Sequence, residues 1–347
     1  MIRIGIVGTG GMARAHAGAF NRIRGCRLVA ACDVVKERVE AFGREHGIPN
    51  VYTDFGEMLA GAEMDAISNV TPDGFHAPIS LKAIRKGLHV LCEKPLAVNY
   101  PDAKKMATAA KRKGVINMVN LSYRNSAAIH RAHTLVRQEA IGRIMHVEAS
   151  YLQEWLGAMD WKALSRAPAM LWRLSTEHGS KGVLGDIGVH ILDFASYPVG
   201  DIRSVNCRLK TFPKVKGNRI GDYKLDANDS AIVTVEFANG AIGAIHTTRW
   251  ATGQSNSLRL RIYGDKGAII VDLDRSYTEL QLLRARARAG RQWETVKCRP
   301  TPSIYQRFIK SIRTGANDQP DFARGAAVQK VMDACFESDR KGRPVDV

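Results

Sequence analysis

The N-terminal part of the chain alternates short apolar runs with stretches whose apolar residues recur at helical spacing. The short runs are apolar at almost every position, which is typical of parallel strands covered on both faces. They comprise Ile2–Val7, Leu28–Cys32, Ala66–Val70, His89–Cys92 and Ile116–Val119. Helices are predicted between them, over Met12–Arg22, Lys36–His46, Pro78–Lys86 and Pro101–Arg112. The alternation predicts an α/β domain built on a doubly wound parallel sheet.

Beyond about residue 120, apolar and polar residues alternate along longer segments. An alternation of period two is typical of strands with one buried face. Strands are predicted over His146–Leu152, Ala231–Phe237, Ala241–Thr248, Leu258–Tyr263 and Ala268–Val271, and helices over Ala127–Gln138, Ile304–Arg313 and Ala323–Asp339. Asn239-Gly240 marks a hairpin turn between two of the strands. The pattern predicts a C-terminal α+β domain with a large, mostly antiparallel open sheet.

The change of pattern predicts two domains. A chain of 347 residues has room for two domains of ~100–200 residues each. We place the first domain at residues 1–121 and the second at residues 122–347. The helices near the C-terminus are candidates for packing back on the first domain.

Composition and charge narrow the function. Hydrophobic residues make up 45% and charged residues 24% of the chain, as in ordinary soluble globular proteins. The net charge of +17 suggests nucleic acid, but no nucleic-acid-binding motif accompanies it. The densest basic run, Arg284-Ala285-Arg286-Ala287-Arg288, has no interleaved aromatic residues. A solvated basic surface is therefore favoured, and an acidic substrate such as a uronate or a phosphate is the other interpretation.

Membrane, secretion and metal signals are missing from the sequence. No apolar stretch approaches the ~18 residues of a membrane helix, so no membrane partner is expected. The first predicted strand begins directly after Met1, which leaves no room for a signal peptide and makes the cytoplasm the expected compartment. The 6 cysteines form no C-x-x-C pair and no zinc-spaced cluster, so no metal site is expected.

A glycine-rich motif, Gly8-Thr9-Gly10-Gly11-Met12-Ala13, directly follows the first strand and opens a helix. This is the context that the G-x-G-x-x-G/A dinucleotide motif requires. Gly8 permits a tight turn, Gly10 lets the backbone approach a pyrophosphate, and Ala13 allows close packing of helix on strand. The start of the helix then favours negative phosphates.

Asp33 closes the second predicted strand. A carboxylate at that place hydrogen-bonds the adenosine ribose hydroxyls and repels a 2′-phosphate, so it favours NAD over NADP. The same carboxylate is also suited to cap the following helix. Lys36 and Arg38 lie close by in the sequence and leave dual cofactor specificity open.

Polar residues follow two further strands at their C-terminal ends, where open α/β sheets bind ligands. Thr71-Pro72 and His76 follow the third predicted strand, and Glu93-Lys94-Pro95 follows the fourth. Proline after Lys94 favours an extended backbone there. A lysine at that edge is suited to contact a substrate oxygen.

Together these residues resemble the glucose–fructose oxidoreductase / inositol dehydrogenase family. The segment Gly182–Asp193 is similar to the family's G-x-x-x-D-x-G-x-H-x-x-D signature, and Tyr263–Ala268 matches its Gly-x-x-Gly turn. The resemblance covers essentially the whole chain. It implies a Rossmann domain that binds NAD, followed by an α+β domain that binds a sugar or polyol and mediates oligomerisation.

The resemblance implies that Lys94, Asp186 and His190 form the catalytic set. Oxidation of a secondary alcohol needs a base for the hydroxyl proton, and an imidazole, with an ordinary pKa near ~6.5, suits this role. Asp186 and His190 are four residues apart, so on an α-helix they share one face. Asp186 is suited to orient the substrate or to support His190, and Lys94 to stabilise alkoxide charge.

The full set of predicted site residues combines the motif positions above, positions that match the family, and residues placed where the second domain should face the nicotinamide. Predicted cofactor contacts are Gly8, Gly10, Gly11, Met12, Asp33, Thr71, Pro72, His76, Glu93, Lys94 and Arg124. Predicted substrate contacts are Lys94, Tyr123, Gln153, Trp172, Arg173, Asp186 and His190, with Trp155, Trp161 and Arg249 as further candidates. Asn120 stands where the family commonly has glycine, a departure that bears on the local cofactor contacts.

Three functions remain open at this point. The first is an NAD-dependent dehydrogenase of a sugar, anhydrosugar or inositol. The second is an NAD-dependent glycosidase that oxidises C3 transiently, eliminates the aglycone and returns the hydride. The third is a non-catalytic, cofactor-binding regulator, which the intact Lys94, Asp186 and His190 disfavour. A homodimer or homotetramer is expected, because the outer face of an open sheet needs cover.

Overall fold

The computed structural model describes residues 1–161, 168–284 and 292–347. The chain divides into two compact units. Unit 1 comprises Met1–Ser122 with Pro302–Gln329, and unit 2 comprises Tyr123–Thr301 with Lys330–Val347. Of the basic run noted in the sequence, Arg284 is exposed at the end of a strand, and Ala285–Arg288 lie outside the described residues.

Unit 1 is built on a 6-stranded sheet in the order β3-β2-β1-β4-β5-β6, with every neighbouring pair parallel. The strands are β1 (Ile2–Val7), β2 (Cys26–Cys32), β3 (Asn50–Tyr52), β4 (Ala66–Asn69), β5 (His89–Cys92) and β6 (Asn117–Val119). This strand order is typical of dinucleotide-binding domains. The sequence pattern did not predict β3, because this edge strand is short and largely exposed.

Five helices follow the first five strands of unit 1. They are α1 (Gly11–Asn21), α2 (Lys36–His46), α3 (Phe55–Gly61), α4 (Asp73–Arg85) and α5 (Tyr100–Lys113). The predicted start of α4 at Pro78 was wrong: the helix begins at Asp73, directly after Pro72, and Pro78 lies inside it. Helix α4 therefore starts beside the end of β4, where the predicted ligand contacts lie.

Unit 2 contains a 9-stranded sheet in the order β16-β15-β14-β13-β7-β12-β11-β8-β17. Its strands are β7 (Ile144–Leu152), β8 (Ile202–Lys210), β11 (Ser230–Phe237), β12 (Ile242–Thr248), β13 (Ser257–Gly264), β14 (Gly267–Asp272), β15 (Glu279–Arg284), β16 (Glu294–Lys297) and β17 (Val345–Asp346), and a separate hairpin pairs β9 (Arg219–Ile220) with β10 (Tyr223–Lys224). Only β7 and β12 pair in parallel within the described sheet. The predicted mostly antiparallel sheet is confirmed.

Helices α6 (Ala127–Arg137) and α7 (Val189–Val199) pack on the sheet of unit 2. The strands alternate accordingly: Val233 of β11 is buried, whereas its neighbours Ile232 and Thr234 are exposed. Helix α7 is buried along almost its whole length, so it lacks the polar face by which sequence patterns reveal amphipathic helices. This placement brings the segment before and within α7 next to strands β7 and β12.

The chain returns to unit 1 in helix α8 (Ile304–Thr314), and helix α9 (Phe322–Lys341) closes the fold. Ile304, Phe308 and Ile309 of α8 are buried in the same core as Ile4 and Phe20. The sequence-based division assigned all of residues 122–347 to the second domain, whereas the compact first unit includes Pro302–Gln329. The reason is the apolar face of α8, which packs on α1.

Candidate active site

The glycine loop of unit 1 joins the end of β1 to the start of α1. Gly8 has a φ of +88°, and a Cβ at this position would lie 2.6 Å from the carbonyl oxygen of Val70, so only glycine fits. At Gly10 and Gly11 an added Cβ would meet nothing within 4 Å. Gly10, Gly11 and Met12 are exposed. The start of α1 therefore offers open backbone surface, and it fits a dinucleotide pyrophosphate.

Asp33, at the end of β2, is tied to the glycine loop. Its Oδ2 accepts hydrogen bonds from the backbone N–H of Thr9 at 2.8 Å and from Thr9 Oγ1 at 3.0 Å, and its Oδ1 accepts from the N–H of Val35 at 3.0 Å. Burial raises the pKa of Asp33, but these hydrogen bonds outweigh it and leave the pKa below its ordinary value. Asp33 is therefore an ionised group beside the loop, with Arg38 at 3.4 Å.

His76 of α4 bridges two backbone carbonyls. Its Nδ1 lies 2.7 Å from Pro95 O and its Nε2 lies 2.8 Å from Thr71 O. A carbonyl only accepts, so both ring nitrogens must donate and the ring is an imidazolium. Burial lowers the pKa of His76, but Cys92, Asp73 and the Pro95 carbonyl raise it to about 10. This fully buried ring fixes the turn that holds Thr71 and Pro72, and its predicted cofactor contact stays a prediction.

Glu93 is a buried anion that holds the backbone of Lys94. Its Oε1 accepts from His16 Nε2 at 2.7 Å and from Asn120 Nδ2 at 2.5 Å, and its Oε2 accepts from the N–H of Lys94 at 3.1 Å. Burial raises the pKa of Glu93, but the hydrogen bond from His16, with Asn120 and Lys94, lowers it to about 2. Asn120, the departure from the family pattern, thus places an amide on Glu93 where glycine has no side chain.

In unit 2, Asp186 lies in a π-helical turn, Leu184–Gly188, that leads into α7. Its Oδ1 accepts from Arg173 Nη1 at 3.0 Å and its Oδ2 accepts from Arg249 Nη2 at 2.8 Å. Asp186 lies in the π-helical turn and His190 lies in α7, and the expectation that they share one helical face stays a prediction. Both carboxylate oxygens face guanidinium groups, so Asp186 is held as an anion.

The His190 ring packs edge-on against aromatic rings. Its centroid lies 5.0 Å from that of Tyr123 at an interplanar angle of 87°, and 6.3 Å from that of Tyr151. His190 is 7% exposed. Edge-to-face contacts of this kind fix a ring's orientation. The predicted base thus lies next to Tyr123, a predicted substrate contact.

A row of hydrogen-bonded polar side chains continues from Tyr123. The hydroxyls of Tyr123 and Tyr151 are 2.6 Å apart, and Asn256 accepts from Tyr151 at 2.6 Å and donates to Tyr123 at 2.9 Å. Gln153 donates to Asn256 at 3.0 Å and accepts from Trp155 Nε1 at 3.0 Å. The row presents hydroxyl and amide groups of the kind that bind sugar hydroxyls.

The other predicted site residues have surroundings that differ from one residue to the next. Trp172 is exposed, with the Arg173 guanidinium 4.8 Å from its ring centroid. Trp161 packs with Trp155 against the buried Leu156 and its neighbours, so it serves the core. Arg124 is buried in unit 2, where its guanidinium binds Asp193. Its predicted cofactor contact stays a prediction.

Sequence reasoning missed His16, Tyr151, Asn256 and the role of Arg249. Tyr151 lies near the end of β7, and the alternation along that strand indicates which face the side chain occupies but not what it does. Asn256 lies in a loop that carries no motif. His16 is hidden on the buried face of α1. Among the described residues, no helix is long and apolar enough to cross a membrane, and no group of three or more metal-binding side chains occurs.

Comparison with known proteins identifies the family. An oxidoreductase family with an NAD-binding Rossmann fold matches residues 2–121, and the GFO/IDH/MocA C-terminal domain matches residues 129–270. The levoglucosan dehydrogenase of Pseudarthrobacter phenanthrenivorans is 30% identical over 390 residues, which cover 100% of this chain and 98% of the relative. The chain belongs to the GFO/IDH/MocA oxidoreductase family.

The names of other GFO/IDH/MocA relatives describe enzymes that act on sugars. The D-glucoside 3-dehydrogenase of Escherichia coli is 26% identical, with coverage of 100% of this chain and 97% of the relative. The solved structure of levoglucosan dehydrogenase with NADH and levoglucosan superposes with a TM-score of 0.86 at 30% identity, over 100% of this chain and 99% of that one. The predicted family, fold class, oxidoreductase activity and NAD-binding domain are confirmed.

Proposed function

We propose that this oxidoreductase is an NAD-dependent dehydrogenase that oxidises a secondary hydroxyl of a sugar, an anhydrosugar or an inositol, with His190 as general acid and base. The observation that carries the proposal is the position of His190. Its buried ring adjoins the hydrogen-bonded row that runs from Tyr123 to Gln153. A base beside many hydroxyl-binding groups suits a polyhydroxylated substrate.

The side chains of unit 2 have different roles in the proposed reaction. His190 takes the hydroxyl proton, because an imidazole is the proton acceptor suited to neutral pH. Asp186 is a poor proton acceptor, since both of its oxygens accept from arginines. It orients the substrate instead. Tyr123 and Gln153 hold the other hydroxyls of the sugar.

The side chains of unit 1 hold the cofactor and position Lys94. Gly8, Gly10, Gly11 and Met12 form the pyrophosphate loop, and Asp33 binds the ribose hydroxyls. NAD, when bound, supplies the hydride acceptor. Lys94 stabilises alkoxide charge on the substrate, in the role that the family resemblance gives it. Glu93 keeps the Lys94 backbone in place by accepting its N–H.

The names of the relatives support this substrate class, since they include a levoglucosan dehydrogenase and a D-glucoside 3-dehydrogenase. The test is NADH formation from a panel of inositols, pyranoses, anhydrosugars, acidic sugars and glycosides. We expect His190→Ala to lower kcat by about a hundredfold or more while NAD affinity stays unchanged. His178→Ala is the matched control, because His178 is an exposed histidine outside α7 and outside the large sheet.

Other results of the panel would overturn the proposal. NAD-dependent release of aglycone from a glycoside without net NADH would identify the glycosidase. Tight NAD binding with no turnover of any sugar or glycoside would favour the regulator. Full activity of His190→Ala would remove His190 from the mechanism and leave the base to another group.

We further propose that copies of this chain associate through the sheet face that α6 and α7 do not cover. Ile232 and Ile242 are 62% and 58% exposed on neighbouring strands, so this face carries apolar side chains that a second copy would cover. Light scattering measures the mass in solution. Ile232→Glu combined with Ile242→Glu should yield monomers, and a monomeric wild type would contradict the proposal.

A further inference from the structure

We propose that the substrate carries an anionic group, a carboxylate or a phosphate, and that Arg173 binds it. The inference rests on the function proposed above, because Arg173 contacts Asp186 of the predicted catalytic set. It adds to that function a statement about the charge of the substrate, which neither the fold nor the dehydrogenase chemistry specifies.

The first observation is the charge balance around Asp186. One carboxylate faces two guanidinium groups, those of Arg173 and Arg249. The neighbouring pair of Lys214 and Asp229 is neutral in itself, with Lys214 Nζ 2.7 Å from Asp229 Oδ2 and both side chains fully buried. Within the described residues of this cluster, one positive charge therefore has no carboxylate to balance it.

The second observation is that both guanidinium groups have unmet hydrogen bonds. The Nε atoms of Arg173 and Arg249 are buried without a hydrogen-bond partner among the described residues. Arg249 is fully buried, and burial lowers its pKa although Asp186 opposes that effect. A buried cation is unfavourable unless it is paired. An anion bound next to this cluster lowers that electrostatic cost.

The third observation is that Arg173, and not Arg249, is accessible. The Arg173 side chain is 28% exposed, whereas that of Arg249 is 0% exposed. Arg173 also lies over the ring of the exposed Trp172, at 4.8 Å from its centroid. Two contacts, one with Asp186 and one with Trp172, thus fix the planar guanidinium in advance. A fixed guanidinium is well suited to bind carboxylate or phosphate oxygens.

The overall charge of the protein agrees with an anionic ligand. The chain carries a formal net charge of +17, and a net positive field raises the rate at which anions reach a site. This also gives a functional reason for a charge that has no nucleic-acid-binding motif beside it.

The experiment compares sugars that differ at C6, where one member of each set is neutral and the others are anionic. With NAD, kcat/KM is measured for glucose, glucuronate and glucose 6-phosphate, and for galactose and galacturonate. We expect at least about a tenfold preference for an anionic member over its neutral partner. Preference for the uronates or for the phosphate identifies which anion the site accepts.

Variants test whether Arg173 carries the preference. Arg173→Gln should lower the ratio of anionic to neutral kcat/KM at least about tenfold, and Arg173→Lys should retain part of it. Arg137→Gln is the control, because Arg137 is exposed at the end of α6 and its loss changes the net charge equally. A cofactor-free readout is tryptophan fluorescence during titration with glucuronate or inorganic phosphate. Wild type should show saturable quenching that Arg173→Gln lacks.

The outcomes separate this inference from the proposed function. Equal kcat/KM for neutral and anionic sugars would overturn the inference and leave the dehydrogenase intact. An anionic preference that Arg173→Gln leaves unchanged would also overturn it, since the anion then binds elsewhere. NADH from none of the sugars, with NAD still bound, would remove the proposed function and this inference with it.

Discussion

Arg124 binds Asp193 through two hydrogen bonds, from Nε at 2.6 Å and from Nη2 at 2.7 Å, with both side chains buried. The guanidinium also lies 3.4 Å from the ring centroid of Tyr197. Arg124 follows Tyr123, and Asp193 lies one helical turn after His190. The pair therefore connects the turn that bears Tyr123 to the helix that bears the predicted base. It gives a structural reason for Arg124 and for Asp193, the last residue of the family signature.

Breaking this pair should destabilise the protein. Asp193→Asn leaves a buried guanidinium without its counter-charge, so we expect the free energy of unfolding to fall by about 3–5 kcal/mol, measured by urea denaturation. Glu236→Gln is the control: it breaks the exposed pair with Arg203 and should leave the midpoint unchanged. An unchanged midpoint for Asp193→Asn would show that the pair contributes little.

The pKa of Glu93 gives a prediction for acid stability. It falls from an ordinary value of 4.5 to about 2 in the folded protein, so its stabilising contribution is present above pH 4.5 and is lost as the pH falls towards 2. At neutral pH, Glu93→Gln should lower the free energy of unfolding by on the order of 3 kcal/mol. The gap between the two proteins should narrow between pH 4.5 and 2, and a constant gap would contradict the prediction.

His76 should carry two ring protons well above neutral pH. Two carbonyl acceptors and a pKa raised to about 10 predict that nitrogen-15 NMR at pH 8 shows both ring nitrogens protonated. Because the pKa is raised on folding, the stabilisation from His76 is full below pH 6.5 and disappears as the pH rises through 10. A single-proton tautomer at pH 8 would disprove the assignment.

Asp33 should determine the choice between NAD and NADP. Asp33→Ser removes the charge that repels a 2′-phosphate and frees Arg38, which lies 3.4 Å from it. We expect the ratio of kcat/KM for NADP to that for NAD to rise at least about tenfold. Lys82→Ser, an exchange on the distant helix α4, serves as the control. A ratio that stays constant would assign specificity to another residue.

Two glycines of the same loop should respond differently to alanine. Gly8→Ala forces a φ of +88° on alanine and places its Cβ 2.6 Å from Val70 O, so we expect a loss of roughly 2 kcal/mol or more in folding stability. Gly10→Ala meets open space and should fold normally but bind NAD at least about tenfold more weakly. Calorimetry and NAD titration measure the two effects, and normal NAD binding by Gly10→Ala would place the pyrophosphate elsewhere.

The sequence predicted the elements that are determined by residues close to one another along the chain. Strand β1, the glycine loop and α1 follow from an apolar run, a turn that only Gly8 permits and a helical repeat. What it could not predict depends on distant partners. Asp186 is clamped by Arg249, which lies far away in the sequence, and no spacing rule reveals such a pair. The π-helical turn at Asp186 escaped for a similar reason, because side-chain periodicity predicts an α-helix.

Burial gives three of the predicted cofactor residues a structural role in addition to the predicted one. Glu93, His76 and Arg124 were expected to touch the cofactor, and the structure shows each of them buried with protein partners. A motif identifies the residue types that a site requires, but it does not separate a side chain that contacts ligand from one that positions its neighbour. The structure adds which oxygen or nitrogen of each side chain already has a protein partner, and the cofactor contacts of these residues stay predictions.

Helix α8 completes the core of unit 1 with Ile304, Phe308 and Ile309, and Tyr305 packs edge-on against His16 at 4.9 Å. During synthesis, these residues leave the ribosome only after the whole stretch 123–301 has been made. The nucleotide-binding unit therefore keeps part of its apolar core uncovered until translation has passed residue 301. Unit 2 also depends on late residues, since it includes Lys330–Val347. A truncation before residue 302 therefore removes parts of both units and should leave apolar surface exposed that favours aggregation.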